Sequence, residues 1–255
     1  MRNVARINVT PVKGMALQHP AQVELTASGI PGNRRFFLVD EAGELFSGSD
    51  YGPLVQVRPD HDAASGRLDL AFPDGTLTGG LTDQLGTASI TNFYGRGVPG
   101  REVLGPFADA LSAFVGRTVR LLRCDRDGDG PDVEPLTAVS DASVRDLGRR
   151  GGRDDLDSRR FRINLELGGC EPYEEDTWEG TRLQVGEAVV RVLGQIPRCV
   201  VTTQSPDTGA KDWDTLTRIA NRPRIRGDGG LPFGVYARVE QPGSLRAADE
   251  VVLLG

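Results

Sequence analysis

The sequence predicts a mainly β protein with a few short helices, in the α+β class, and three observations carry that prediction. Gly, Pro and Asp punctuate the first half every 8 to 12 positions, with short β-branched or alternating apolar runs between them, the rhythm of strands and turns rather than of helices. Short strand-like runs return after an acidic stretch at residues 124–135. Segments with a helical repeat are few and brief, and we find no internal repeat.

Taken in order, the candidate strands of the first half are Val4–Thr10, Gln22–Leu25, Arg35–Val39, Leu54–Arg58, Arg67–Ala71 and Val119–Arg123. In PFADALSAFVG the residues Phe107, Leu111, Phe114 and Val115 fall on one helical stripe closed by Gly116, a helix that packs one face. The stretch CDRDGDGPDVEP has five Asp and Glu side chains and almost no apolar residue. It reads as a solvated linker between a domain over 1–123 and a second over 136–255. In SDASVRDLGRRGG, Ser140 or Asp141 caps a short helix that ends at glycine. Strands follow at Phe161–Leu167, Arg182–Val185, Ala188–Leu193 and Cys199–Thr203, with a short helix near Asp214–Asn221.

Composition narrows the function. Of 255 residues, 38% are hydrophobic and 26% charged, so the chain has the means to build cores. A net charge of −6 argues against a sequence-independent grip on nucleic acid, which needs clustered cations. No apolar run reaches the ~18–20 residues that span a bilayer, and MRNVARINVTPVKG lacks a secretory apolar region. These readings predict a cytoplasmic protein with no membrane span. Cys124, Cys170 and Cys199 form no CxxC pair, which disfavours a disulfide framework and a four-cysteine zinc site. The histidines are only His19 and His61, and the lysines only Lys13 and Lys211.

Several segments carry chemistry. DRDGDG opens like a calcium loop, but Leu136 stands where the closing bidentate Glu is required, so solvation is the stronger reading. In GQIPRCVVTT, Cys199 sits at a strand-edge turn beside Arg198, where a neighbouring cation favours the thiolate that binds metals or attacks. Cys124 and Cys170 read as inert. RRFRINLELGG places Arg160, Arg162 and Asn164 at alternate positions of a strand, one face suited to phosphate or left to solvent. PVKG offers Lys13 with Gly14, which lets a ligand approach the backbone, and NRRFFLVD adds Arg34 and Arg35. EEDTW sets acids beside Trp178.

Together these segments resemble the MOSC family, the molybdenum cofactor sulfurase C-terminal domain, preceded by its N-terminal β-barrel partner domain. PVKG and GNRRFFLVDEAG match the first domain; SDASVRDL, RFRIN, EEDTW, PRCVVTTQSPDTG with TLTRIANRPR, FGVYARV and GSLRAADEVVLL follow in the family's order. RFRIN lacks the Pro of RFRPN, and FSGSDYGP lacks an Arg usual in its segment. The resemblance is greatest to amidoxime-reducing members. It implies β-barrel domains, a molybdenum–molybdopterin cofactor with Cys199 as metal ligand and catalytic centre, and reduction of small N-hydroxylated substrates. By motif it assigns Lys13, Gly14, Arg35, Ser140, Arg162, Asn164 and Arg198 to the cofactor. The chain shows neither a four-cysteine iron–sulfur motif nor GxGxxG, so electrons would come from a separate flavin, haem or iron–sulfur protein. The alternative is a sulfur carrier that uses a Cys199 persulfide, its donor external because no pyridoxal-phosphate sulfurase domain is recognisable.

Overall fold

The structure is a computed structural model and describes residues 1–223 and 230–254, so Arg224 of the TLTRIANRPR segment lies outside the described residues. Its main feature is a seven-stranded sheet in the order Asn3–Ile7, Leu165–Gly168, Leu136–Ser140, Pro232–Gln241, Ala188–Pro197, Arg182–Val185 and Val251–Leu254. The two edges of this sheet meet: Val4 N donates to Asp249 O and Val251 N to Arg2 O, both at 2.9 Å. The sheet is thereby nearly closed into a barrel, which leaves little unpaired edge. Inside lie Ile7, Leu136, Leu165, Leu167, Trp178, Val190, Val235 and Val251, all at most 3% exposed.

The first strand of the chain thus lies in the barrel formed mostly by residues 136–254, and Gln22–Leu25 pairs with Gly243–Arg246. Between these segments residues 36–124 form a second unit. It comprises a five-stranded sheet of Leu45–Phe46, Phe36–Asp40, Val119–Cys124, Arg96–Val103 and Leu85–Phe93, and a three-stranded sheet of Arg58–Asp62, Arg67–Ala71 and Leu77–Leu81. Their shared core includes Phe36, Leu38, Leu68, Leu70 and Val119, with Phe107 and Leu111 from the helix Phe107–Val115. The predicted stripe of that helix is its buried face, and Gly116, at φ 73°, closes it in the left-handed conformation glycine favours.

Local differences from the sequence expectation have physical causes. Leu54–Arg58 is not a strand: Gly52–Gln56 is a 3-10 turn with Pro53 in its first turn, where a missing N–H costs nothing. The strand Phe161–Leu167 begins late, at Leu165, because Ser158–Phe161 coils into a 3-10 turn and Arg162 takes a left-handed φ of 54°. Strict alternation of Arg160, Arg162 and Asn164 is therefore lost. Cys199–Thr203 is also not a strand; Cys199 precedes a 3-10 turn at Val200–Thr203. Strands at Leu77–Leu81, Leu85–Phe93 and Pro232–Gln241 were absent from the sequence reading; the first two include Gly and Thr with exposed positions and little apolar signal.

Candidate cofactor cleft

The cleft gathers at the end of the strand Ala188–Pro197. Three register shifts against Pro232–Gln241 bend that strand, the last between Gln195 and Pro197, where such irregularities re-aim a chain. The turn that follows presents Cys199 as the exposed cysteine of the three, whereas Cys124 is buried and Cys170 half-buried. Burial pushes the Cys124 and Cys170 thiols up to about 12, which keeps both protonated and inert. The reading of Cys199 as the accessible thiol agrees with this geometry.

Around Cys199 the cleft is lined by Lys13, Gly14, Arg34, Arg162, Arg198, Asp132, Tyr94, Tyr236 and residues of the turns near Ser47 and Gln204. Lys13 follows a bridge between Val12 and Phe36; its ammonium bonds Gly130 O at 3.0 Å, contacts Asp132, and lies 4.8 Å from the centre of the Phe93 ring. Gly14, at φ 89°, turns the chain where a Cβ would stand 3.3 Å from Gly48 N. Gln204 Nε2 donates to Gly48 O at 2.8 Å, tying the two halves of the chain across the cleft.

The charges explain what the cleft would hold. Arg160 pairs with Asp212, and Arg159 with Asp157 and Asp207. Arg34, Arg162 and Arg198 instead donate to carbonyls: Arg34 to Arg162 O at 3.0 Å, Arg162 to Met15 O at 2.6 Å, and Arg198 to Phe233 O at 2.7 Å and Phe161 O at 3.0 Å. The buried Nη2 of Arg198 has no partner among the described residues. Burial pulls Lys13 down to about 8, Arg162 to about 9 and Arg198 to about 10. For Lys13 the attraction of Asp132 opposes this; for Arg162 the repulsion of Arg34 adds to it. Asp132 is raised by burial but held net low by Lys13 and Arg34. Lys13, Arg162 and Arg198, desolvated, share the cleft with Asp132 and with Glu134, the latter paired with Arg238, and cations so placed gain from an added anion.

Three of the five non-glycine residues at positive φ, Arg34, Tyr94 and Arg162, line this cleft. Each conformation costs of order 1–3 kcal/mol and is retained where the surroundings dictate it.

Not every residue expected here arrives. Arg35 does not line the cleft; its neighbour Arg34 does, because the left-handed backbone at Arg34 sends consecutive side chains to different cavities. Asn164 is buried behind the wall, bonded to Asn8 O and Thr137 Oγ1. Ser140 is fully buried and caps the helix Asp141–Arg150, its Oγ accepting from Ser143 N at 2.9 Å. Glu175 of EEDTW supports that cap, accepting from Ser140 N and Ser143 Oγ, while Trp178 fills the barrel core. The acidic stretch is not a solvated linker throughout. Gly130 and Pro131 are buried, Arg96 donates to Asp129 O and Pro131 O, and Asp132 enters the cleft. Of the two lysines, Lys13 is buried and Lys211 exposed.

Sequence reasoning passed over Asp132 and Tyr94. The signal for Asp132 was present, a carboxylate in a stretch that also holds Gly and Pro, but only folding shows that it faces Lys13. Tyr94 lies at the tip of the Leu85–Phe93 and Arg96–Val103 hairpin, in a segment with no strand pattern to locate it.

The architecture is that of a nearly closed β-barrel whose cationic cleft also carries the exposed thiol of Cys199. Residues 125–252 match the MOSC domain, and the chain belongs to that family. It is 30% identical to mitochondrial amidoxime reducing component 2 of Homo sapiens over 97% of this chain and 82% of that protein. Mitochondrial amidoxime-reducing component 1 of Homo sapiens is 25% identical over 99% of this chain and 83% of its own length. The molybdenum cofactor sulfurase of Oryza sativa subsp. japonica is 25% identical over 92% of this chain, which covers 32% of that protein. Among solved structures, the YUAD protein from Bacillus subtilis aligns with 98% of this chain at 11% identity and a TM-score of 0.48.

Proposed function

We propose that the cleft binds a molybdenum–molybdopterin cofactor with Cys199 as the protein ligand to the metal, and that the protein reduces N-hydroxylated small molecules. The observation that carries this reading is the set of cations Lys13, Arg34, Arg162 and Arg198 around an exposed thiol, with the buried Arg198 Nη2 unpartnered among the described residues. Among the described residues no three His, Cys, Asp or Glu side chains gather. A metal at Cys199 would accordingly take its other ligands from the cofactor, and a thiolate suits a soft-ligand site. Arg162, Arg34 and Lys13 would hold the cofactor's phosphate, and Arg198 its polar edge near the metal.

The cofactor supplies two-electron oxygen-atom chemistry when bound. The chain would position it and line the approach with the exposed Tyr94 and the half-buried Tyr236. Reduction of an N–OH group to N–H consumes two electrons and two protons and releases water. The names of the amidoxime-reducing relatives support this reaction class, and a separate electron-donor protein would supply the electrons. Among the described residues no helix is long and apolar enough to cross a membrane.

The exposed thiol and the similarity to a molybdenum cofactor sulfurase favour a second reading, a Cys199 persulfide that passes sulfur on. Elemental analysis joined to intact mass measurement separates the two. Stoichiometric molybdenum with pterin, lost in Cys199→Ala, is the expected result. A metal-free protein that carries one extra sulfur on Cys199 would overturn the reductase.

A further inference from the structure

We propose that the cavity lined by Arg35, Arg123 and His61 is a second anion site, separate from the Cys199 cleft, that takes the phosphate group of a small phosphate monoester. The cavity has a volume of about 380 Å³ and lies between the loop that precedes Phe36–Asp40, the strand Val119–Cys124 and the three-stranded sheet. Three observations support it.

The first is an unsatisfied donor. Arg35 Nη1 is buried and makes no hydrogen bond. Its one carboxylate neighbour, Asp127 Oδ1, stands 3.6 Å away on a half-exposed side chain, too far for a hydrogen bond. A buried guanidinium nitrogen left unbonded costs roughly what a lost charged hydrogen bond does, so an incoming oxygen acceptor is favoured there.

The second is convergence. Arg123 reaches the same cavity from the neighbouring strand, anchored through Nη1 to Thr82 O at 2.9 Å. His61 is held by its edge-on packing with Phe36, ring centres 5.0 Å apart. Of the side chains that line the cavity, two guanidiniums face one carboxylate, Asp127, while Asp62, next to His61 in the chain, also acts on the imidazole. Burial first, then the Arg35 charge, holds His61 below the ordinary imidazole range, against the opposing pull of Asp62 and Asp127.

The third is the separation of neighbours. The left-handed turn at Arg34 commits that side chain to the Cys199 cleft and leaves Arg35 to the other cavity. Two guanidinium forks match phosphate oxygens. A phosphate presents enough oxygens to face both forks at once, which a single carboxylate does not, and the volume leaves space for an organic substituent beyond a bare phosphate.

The chain has two histidines, His19 and His61, so the ring signals of the ¹⁵N-labelled full-length protein test the site directly. Inorganic phosphate, glycerol phosphate and acetate are titrated separately into the native protein and into Arg162→Ala, Arg35→Gln and Arg123→Gln variants, each confirmed folded by far-ultraviolet circular dichroism. The expected result is a saturable shift of His61 but not His19, tighter for glycerol phosphate than for inorganic phosphate, and at least about tenfold weaker for acetate. The shift persists in Arg162→Ala, which alters only the Cys199 cleft, and weakens about tenfold in Arg35→Gln and in Arg123→Gln. A His61 signal that does not move with either phosphate in the native protein overturns the proposal. So does a shift that Arg162→Ala abolishes, or one that both arginine variants leave intact. The native and Arg162→Ala titrations keep the test decisive should one arginine variant not fold.

Discussion

Cys199 is exposed at a turn and contributes little to any core, so its replacement separates chemistry from stability. Cys199→Ala is expected to abolish reduction of N-hydroxylated substrates and to leave the thermal midpoint within about 1–2 °C, as for a surface substitution; a steady-state assay with an artificial donor, paired with calorimetry, checks both. Arg162 differs because its charge is desolvated. Removing a charge-assisted contact of about 1.5–3 kcal/mol in Arg162→Ala should cut molybdenum content after gel filtration by about tenfold or more, and unchanged content would argue against the phosphate role. The order of short motifs along the chain made the Cys199 and Lys13 readings possible, since a cysteine beside one arginine would by itself read as inert. It could not separate Arg34 from Arg35, because the sequence does not reveal which of two adjacent arginines the backbone turns inward.

At the scale of the element, what places Arg198 is the strand opposite it. Gly234, at φ 76°, lets Phe233 offer its carbonyl to Arg198; a Cβ there would lie 2.7 Å from Ile163 Cδ1 and 2.8 Å from Ala138 O. Gly234→Ala is therefore expected to destabilise by more than about 1 kcal/mol and to lower cofactor content, as denaturant unfolding and metal analysis would show. The helix Phe107–Val115 makes the complementary case. Its stripe was legible because its period matches its burial, and Leu111, fully buried in the core of the second unit, should cost about 2–5 kcal/mol as Leu111→Ala, read from urea unfolding. The RFRIN segment was misread as a regular strand because β-branched and apolar spacing says nothing of the 3-10 turn that precedes it.

The molecule as a whole sets the pH response, since the buried Lys13 contacts Phe93, Gly130 and Asp132, all distant from it in the chain. Its pKa is lowered from an ordinary 10.5 to about 8. Between those values the unfolded chain binds the proton and the folded chain has released it, so stability without ligand should rise with pH over that interval, by up to roughly 3 kcal/mol. The charged form costs the fold most below pH 8, and there it also serves an anion best. Anion affinity in the Cys199 cleft should consequently fall as pH rises through about 8. Thermal unfolding and phosphate-competition titrations from pH 7 to about 9, below the range in which Arg162 and Arg198 would release protons, test the two opposite slopes, and Lys13→Met should flatten both there.

The sequence by itself determined the strand-rich class and the capped helices, because turn residues and period act locally, and its ordered motifs pointed to Cys199 as the candidate thiol. Only the tertiary structure decided that the N-terminal strand closes the barrel, that Asp132 from an acidic loop faces Lys13, and that Asn164 supports the framework while Arg35 faces a different cavity. Those outcomes depend on contacts between residues more than a hundred positions apart, and on the direction in which a few left-handed residues turn the chain, neither of which a local pattern encodes.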